Sequence, residues 1–290
     1  MPELPEVETI VRALRPALVG RTILSADLRW PRTLAEPSPA AFKKRICGQC
    51  IEGVSRRAKF LDFRLTTFDL IIHLRMSGDL HLEETAYTPQ KHDRLLLSLA
   101  PTSSLHAPPS SPPVTRHTSH VTHHSSLVFT DPRKFGRVWL TAQPEEVLGN
   151  LGPEPLEPSF TPQTFYERLH GRNRQLKPLL LDQTFIAGLG NIYTDEALHM
   201  AGLHPLRRAD SVTAQQAEDL WRAVRAVLEE GIRANGASID WVYRGGGFQN
   251  QFRVYGRGGQ PCPVCGTKIM RIVSGQRGTH FCPLCQPFEG

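Results

Sequence analysis

The 290-residue chain lacks any apolar run long enough to span a bilayer, which excludes a helical membrane protein. Its first residues, MPELPEVETI, are acidic where a secretory leader would be basic and then apolar. A cytoplasmic location is the expectation. Cysteine is scarce, six in all, and falls as three Cys-x-x-Cys pairs. In an intracellular chain that spacing favours metal ligands or free thiols over a disulfide framework. Acidic residues run out toward the C-terminus: from Trp241 to Gly290, six Lys/Arg face a single acid, Glu289. The whole chain carries a net charge of +6, so most of the excess sits in this last stretch. Such a distribution suits a polyanionic partner.

What is present falls into segments. Val7, Ile10, Val11, Leu14 and Leu18 recur at helical spacing, with Pro5 suited to a first turn and Pro16 and Gly20 bounding the far end. FLDFRL (60–65), LIIHLRM (70–76), RLLLSLA (94–100) and LVFTD (127–131) read as strands. Residues 1–147 are therefore expected to form a β-sandwich with one N-terminal helix. Between the last two strands, 21 of the 26 residues of 101–126 are Pro, Ser, Thr or His. Such a tract buries too little apolar surface to offset the entropy of ordering, and is expected to be a mobile hairpin-tip insertion. It holds five of the twelve histidines, a composition that can also bind metal.

A Pro/Gly-rich linker spans 148–162. Beyond it, 163–240 turns helical. Thr213 and Gln216 have the spacing of a capping box, Leu220, Trp221, Val224, Val227, Leu228 and Ile232 share one face, and Asn235-Gly236 forms a stop. Residues 241–290 begin glycine-rich and close with a cysteine-bounded hairpin. Cys262, Cys265, Cys282 and Cys285 are spaced Cys-x2-Cys-x16-Cys-x2-Cys. Four thiolates satisfy tetrahedral zinc, each short pair wrapping half of the coordination sphere. TKIMRIV (267–273) and THF (279–281) are its strands, joined by SGQRG (274–278), which puts Arg277 at the tip. Cys47 and Cys50 have no second pair nearby. Their Gly-Gln centre reads as a turn between strand-like stretches, and both as free thiols.

The combination of MPELPEVE, RRAKFL (56–61), KHD (91–93), TDPRKFGR (130–137), AGLGNIYTDEALHMAGLHP (187–205) and the terminal zinc hairpin resembles the bacterial formamidopyrimidine-DNA glycosylase family. The motifs span nearly the whole chain in the family's order. The resemblance implies an α+β multidomain fold: β-sandwich, helix–two-turn–helix domain and zinc-ribbon hairpin. It implies a monomeric bifunctional enzyme of base-excision repair. Such an enzyme removes 8-oxoguanine and formamidopyrimidines from duplex DNA and then cleaves the strand by β,δ-elimination.

It also supplies roles. Pro2, freed by removal of Met1, would be the amine that attacks the sugar. An α-amino group titrates near ~8 and lysine near ~10.4, so at neutral pH roughly a tenth of the former is free base against well under a thousandth of the latter. Proline's greater intrinsic basicity trims that advantage. The resemblance makes Glu3 a proton donor, and Glu6 would orient the site. Lys59, by residue type a solvent-facing strand lysine, becomes the proton donor for β-elimination. Arg277 matches the residue assigned to δ-elimination, where polarising the departing phosphate is easier than donating a tightly held guanidinium proton. Met76, Arg133 and Phe135 match the side chains that fill the gap left by a flipped base. By residue type alone, Met76 and Phe135 read equally as strand core. His92, Arg133 and Asn191 match DNA-binding positions, Asn191 at a helix start where backbone N–H groups can hold phosphate.

Two alternatives stay open at this point. An endonuclease VIII-like enzyme for oxidised pyrimidines shares the proline chemistry, but typically has Gly where this chain has Leu4 and lacks the Arg/Phe wedge. A non-catalytic zinc-ribbon DNA-binding protein would not need Pro2, Glu3 and Lys59. By the resemblance, residues 237–252 occupy the place of the loop that covers the flipped base, and their glycines point to mobility.

Overall fold

The computed structural model describes residues 1–101, 125–238 and 245–288. The bulk of the expected insertion, 102–124, and residues 239–244 of the 237–252 loop lie outside the described residues. Among those described, no helix is long and apolar enough to cross a membrane.

The chain opens with helix α1 (Leu4–Leu18). Pro5 lies in its first turn, and all five residues of the apolar stripe are buried. The helix runs two residues past Pro16, expected to bound it, and ends at Leu18, before Gly20 with φ +87°. Strands β1 (Ile23–Leu28), β2 (Leu34–Glu36), β3 (Ile51–Arg57), β4 (Phe60–Leu65), β5 (Asp69–His73), β6 (Asp79–Glu83), β7 (Asp93–Leu99), β8 (Ser125–Thr130) and β9 (Arg137–Thr141) follow, with helix α2 (Pro39–Ile46) before β3. They make two sheets, of order β1-β7-β8-β6 and β2-β9-β5-β4-β3. In β4, Leu61, Phe63 and Leu65 alternate inward, as the period of two demands.

Some details differ from expectation. The strand read over 70–76 ends at His73, so Met76 sits in the turn that follows and is 38% exposed. Cys47 and Cys50 are free thiols between α2 and β3, not between two strands.

After short α3 (Glu145–Leu148) come α4 (Pro162–His170), α5 (Leu176–Leu180), α6 (Asn191–Met200) and α7 (Ala214–Arg233). The capping box forms: Thr213 Oγ1 accepts from the Gln216 N–H, and the Gln216 side chain accepts from the Thr213 N–H. Leu220, Val224, Val227 and Leu228 are buried in the core that α4 and α6 share with α7, each contributing roughly 1.5–3 kcal/mol. The ribbon pairs β10 (Met270–Ser274) with β11 (Arg277–Phe281). Its turn is only Gly275-Gln276, both with positive φ, the geometry of a two-residue hairpin. Arg277 is thus the first residue of β11 rather than part of a five-residue loop.

The chain divides into two compact units. One comprises Met1–Thr9, Arg56–Leu61 and Pro144–Gly290; the other comprises Ile10–Ser55 and Asp62–Gln143. The first thus gathers the N-terminus, the β3–β4 turn, helices α3 to α7 and the ribbon.

Candidate active site

In the first unit, Pro2 is half-buried and heads a run that is closed from solvent. Glu3, Glu6 and Lys59 are 3%, 2% and 4% exposed. Lys59 is therefore not the solvent-facing lysine its residue type implied. One face of the cluster is the start of α6. The Ile192 N–H donates to Glu3 Oε1 at 3.0 Å, so the helix terminus that residue spacing offered to a phosphate has one amide already committed to a carboxylate. A Cβ on Gly190 would lie 2.2 Å from Glu3 Cδ, so only glycine admits this approach. Glu3 Oε2 is buried and has no hydrogen-bond partner.

Behind Glu3, Glu6 accepts three hydrogen bonds: from the Glu3 N–H, the Tyr193 hydroxyl and the Ala237 N–H, each at 2.7 Å. Gly236, with φ +78°, brings the chain past the Glu6 carboxylate where a Cβ would be 2.8 Å from it. Burial and the neighbouring Glu3 carboxylate push the Glu6 pKa up, against the pull of those hydrogen bonds.

Lys59 donates from Nζ to the Leu189 carbonyl at 2.6 Å. Burial lowers its pKa; Glu3 and Glu6 oppose the fall and Arg277 adds to it. The β3–β4 turn that carries it is fastened by Glu154, which takes Arg56 at 2.7 Å, Arg57 at 2.9 Å and the Ala58 N–H. Burial alone would raise the Glu154 pKa, but Arg56, the Ala58 N–H and Arg57 hold it below the usual carboxylate range.

Arg277 is exposed on β11. Its strand is clasped by α6: Asn191 Nδ2 donates to the Gly278 carbonyl at 2.9 Å, and the His280 N–H donates to Asp195 Oδ2 at 3.0 Å. Asp195 in turn pairs with fully buried Lys177. Glu196 accepts the N–H groups of Arg253, Val254 and Tyr255 at 2.8–2.9 Å, holding the segment that enters the ribbon. The four ribbon sulfurs lie within 4.8 Å of one another, with Cys265–Cys282 at 3.4 Å and Cys262–Cys285 at 3.8 Å. A tetrahedron with Zn–S near 2.3 Å needs S···S of about 3.8 Å, so the set fits one structural zinc ion.

The second unit holds a separate polar cluster. Buried Asp131 accepts from Ser77 Oγ at 2.6 Å, from the Arg133 N–H at 3.2 Å and from the Gly136 N–H at 2.7 Å. This fixes the PRKF turn, whose Phe135 is 51% exposed with the Arg133 guanidinium 5.3 Å from its ring centroid. Phe135 is therefore not strand core. Exposed His92 borders Asp131 through the Asp131 N–H to His92 carbonyl bond, 2.9 Å.

A backbone feature links both clusters. Among the described residues, five that are not glycine have positive φ: Ala58, Arg75, Lys134, Asn235 and Gln276. Four of them adjoin candidate residues, namely Lys59, Met76, the Arg133/Phe135 pair and Arg277. Left-handed backbone costs a non-glycine residue about 1–2 kcal/mol, and concentrates where turns must aim a side chain. Tyr193, Asp195, Glu196 and Asp131 had no assigned role in the sequence reading. The one signal for the first three was a run of polar residues inside a helix buried on nearly every side.

Fold and site together put a four-thiolate ribbon and a buried carboxylate–lysine cluster in one compact unit. Family models match the chain as a formamidopyrimidine-DNA glycosylase N-terminal domain over residues 1–138, a formamidopyrimidine-DNA glycosylase H2TH domain over 151–242, and a zinc finger found in FPG and IleRS over 259–287. The formamidopyrimidine-DNA glycosylase of Chloroflexus aggregans is 44% identical, covering 99% of this chain and 98% of that protein. The one from Symbiobacterium thermophilum is 41% identical, covering 99% and 90%. A point mutant of the Lactococcus lactis enzyme in complex with Fapy-dG-containing DNA superposes with a TM-score of 0.86 at 36% identity, covering 99% of this chain and all of that one. The Lactococcus lactis enzyme bound to abasic-site DNA gives 0.85 with the same identity and coverage. The chain belongs to the formamidopyrimidine-DNA glycosylase family, whose members are DNA glycosylases of base-excision repair, and its fold is the α+β multidomain one the motifs implied.

Proposed function

We propose that the protein excises oxidised purines from duplex DNA through a covalent bond between Pro2 and the deoxyribose, and then cleaves the strand. With Met1 removed, the Pro2 nitrogen attacks C1′. The glycosidic bond breaks, the base departs with its electron pair, and the opened sugar is left as an iminium ion. Glu3, whose Oε2 has no partner, delivers a proton to the ring oxygen as C1′–O4′ opens. Glu6 orients Glu3 by accepting its N–H. The iminium then acidifies C2′; loss of that proton expels the 3′ phosphate, and a second elimination expels the 5′ phosphate. Lys59, its ammonium weakened by burial, is the proton donor for the first elimination. Arg277 polarises the leaving phosphate in the second.

Extruding a base costs a few kcal/mol of stacking and pairing. Met76 and Phe135 fill the gap, Arg133 bonds the widowed cytosine, and His92 and Asn191 hold backbone. Residues 1–147 supply Pro2, Glu3, Lys59 and the wedge, while 163–240 and 241–290, past the 148–162 linker, grip the strand and 241–290 adds Arg277. Zinc, bound by the four cysteines, keeps the ribbon folded. The enzyme works as a monomer in the bacterial cytoplasm, at the nucleoid.

The observation that carries this reading is the closed Glu3–Glu6–Lys59 cluster directly behind a half-buried Pro2. Borohydride trapping tests it across duplexes bearing 8-oxoguanine, formamidopyrimidine or thymine glycol. Wild-type protein is expected to cross-link to the oxidised purines, and Pro2→Gly to lose most of the adduct. Preferential trapping on thymine glycol would favour the oxidised-pyrimidine enzyme. No trapping on any lesion would favour a binding module.

A further inference from the structure

His199 lies in the last turn of α6 and is 5% exposed. Its Nε2 is 3.4 Å from Cys262 Sγ, while its Nδ1 is buried with no hydrogen-bond partner. Those two facts bear on where the ring proton sits. A proton on Nδ1 would leave a buried N–H unpaired, at a cost of about 1–3 kcal/mol. It would also turn the Nε2 lone pair toward a sulfur that carries negative charge when it ligates zinc. A proton on Nε2 removes both penalties, because a bare lone pair on Nδ1 needs no partner as strictly as an N–H does.

We infer that His199 is an outer ligand of the zinc site: its Nε2–H donates to the Cys262 thiolate and holds that thiolate on the metal. Cys262 Sγ then receives two N–H groups, from His199 and from the Val264 backbone at 3.5 Å. Four thiolates around one zinc ion carry excess negative charge, and each N–H draws some of it off the sulfur. Less charge on sulfur means weaker affinity for a competing proton or electrophile. Cys262 is also the deeper of its pair, 3% exposed beside exposed Cys265. The inference stands apart from the proposed chemistry at Pro2. It also gives α6 an anchor at each end, with the Ile192 amide on Glu3 and the His199 ring on Cys262.

The test uses the zinc-loaded full-length protein. With excess chelator, His199→Phe is expected to release zinc about 10-fold faster or more, and its Cys262 to be alkylated sooner than in wild type. His199→Gln, whose amide nitrogen reaches a place similar to Nε2, should recover most of the slow release. Equal acceleration in both variants would assign His199 to packing alone, and unchanged release in both would leave it no role at the metal; either result overturns the inference. Should His199→Phe fail to fold, long-range ¹H–¹⁵N spectra of the wild-type histidines decide directly. The proton on Nε2 is required, and a proton on Nδ1 refutes the hydrogen bond.

Discussion

The two polar clusters solve different problems with opposite exposure. In the first unit, the groups that move or position protons behind half-buried Pro2 are sealed: Glu3, Glu6 and Lys59 are each under 5% exposed. In the second unit, Arg133 and Phe135 stand out into solvent while the residue that aims them, Asp131, is fully buried. Burial is useful where protons must move, because low dielectric separates the pKa values of neighbouring groups. Exposure is useful where a side chain must enter a base stack, because a buried phenyl ring has nothing left to insert. The contrast can be broken or sharpened by substitution.

The largest effect is expected at Glu3. Glu3→Gln should lower the single-turnover excision rate by about 10²–10⁴-fold with little change in affinity for lesion duplex. A change confined to affinity would move Glu3 out of the chemistry. Phe135→Ala should do the reverse, weakening binding to lesion duplex by roughly 1–3 kcal/mol through lost stacking while the protein stays folded, since the ring is half exposed. Equal binding by the variant would remove the wedge.

A smaller effect concerns Glu6 and pH. Its pKa in the folded protein is raised above 4.5, so the folded state binds the proton more tightly than the unfolded state. The stability that this contributes is fully present below pH 4.5 and is lost as pH rises through the raised value. In urea unfolding at successive pH values, wild type should therefore lose stability relative to Glu6→Gln as pH climbs from about 4.5. A difference that grows in favour of wild type over that range would contradict the raised value. The smallest effect belongs to exposed Arg277. Arg277→Ala should lower the slope of log affinity against log salt by ~1 if the guanidinium meets a phosphate, and leave it unchanged if it does not.

Locally determined features were legible. The α1 stripe and the Thr213–Gln216 capping box depend on residues a few positions apart, the Cys-x2-Cys-x16-Cys-x2-Cys spacing on two short pairs joined by one hairpin, and all three took the expected form. Strand ends were less so, because hydrophobicity continues through Leu74 and Met76 after the ladder has stopped at His73. The turn of the ribbon was overestimated for a similar reason: SGQRG looks like a loop, yet Ser274 and Arg277 face each other as a strand pair. Lys59 was legible as a candidate only by its motif. Nothing near it in the chain signals that Leu189, 130 positions on, accepts its hydrogen bond.

By itself, the amino-acid sequence determined the family, the thiolate set for zinc and the apolar stripe of α1, since these rest on spacing along the chain and on residue chemistry that survives in any conformation; it missed α2 and five of the nine sandwich strands. Tertiary structure alone decided that Glu3 meets the first turn of α6, that Glu6 accepts hydrogen bonds from Tyr193 and Ala237, and that Asp131 sits under the PRKF turn. The physical reason is that burial and hydrogen-bond partnership are properties of what the folded chain brings next to a residue. They set the charge state and the aim of a side chain, and neither is written in its neighbours along the chain.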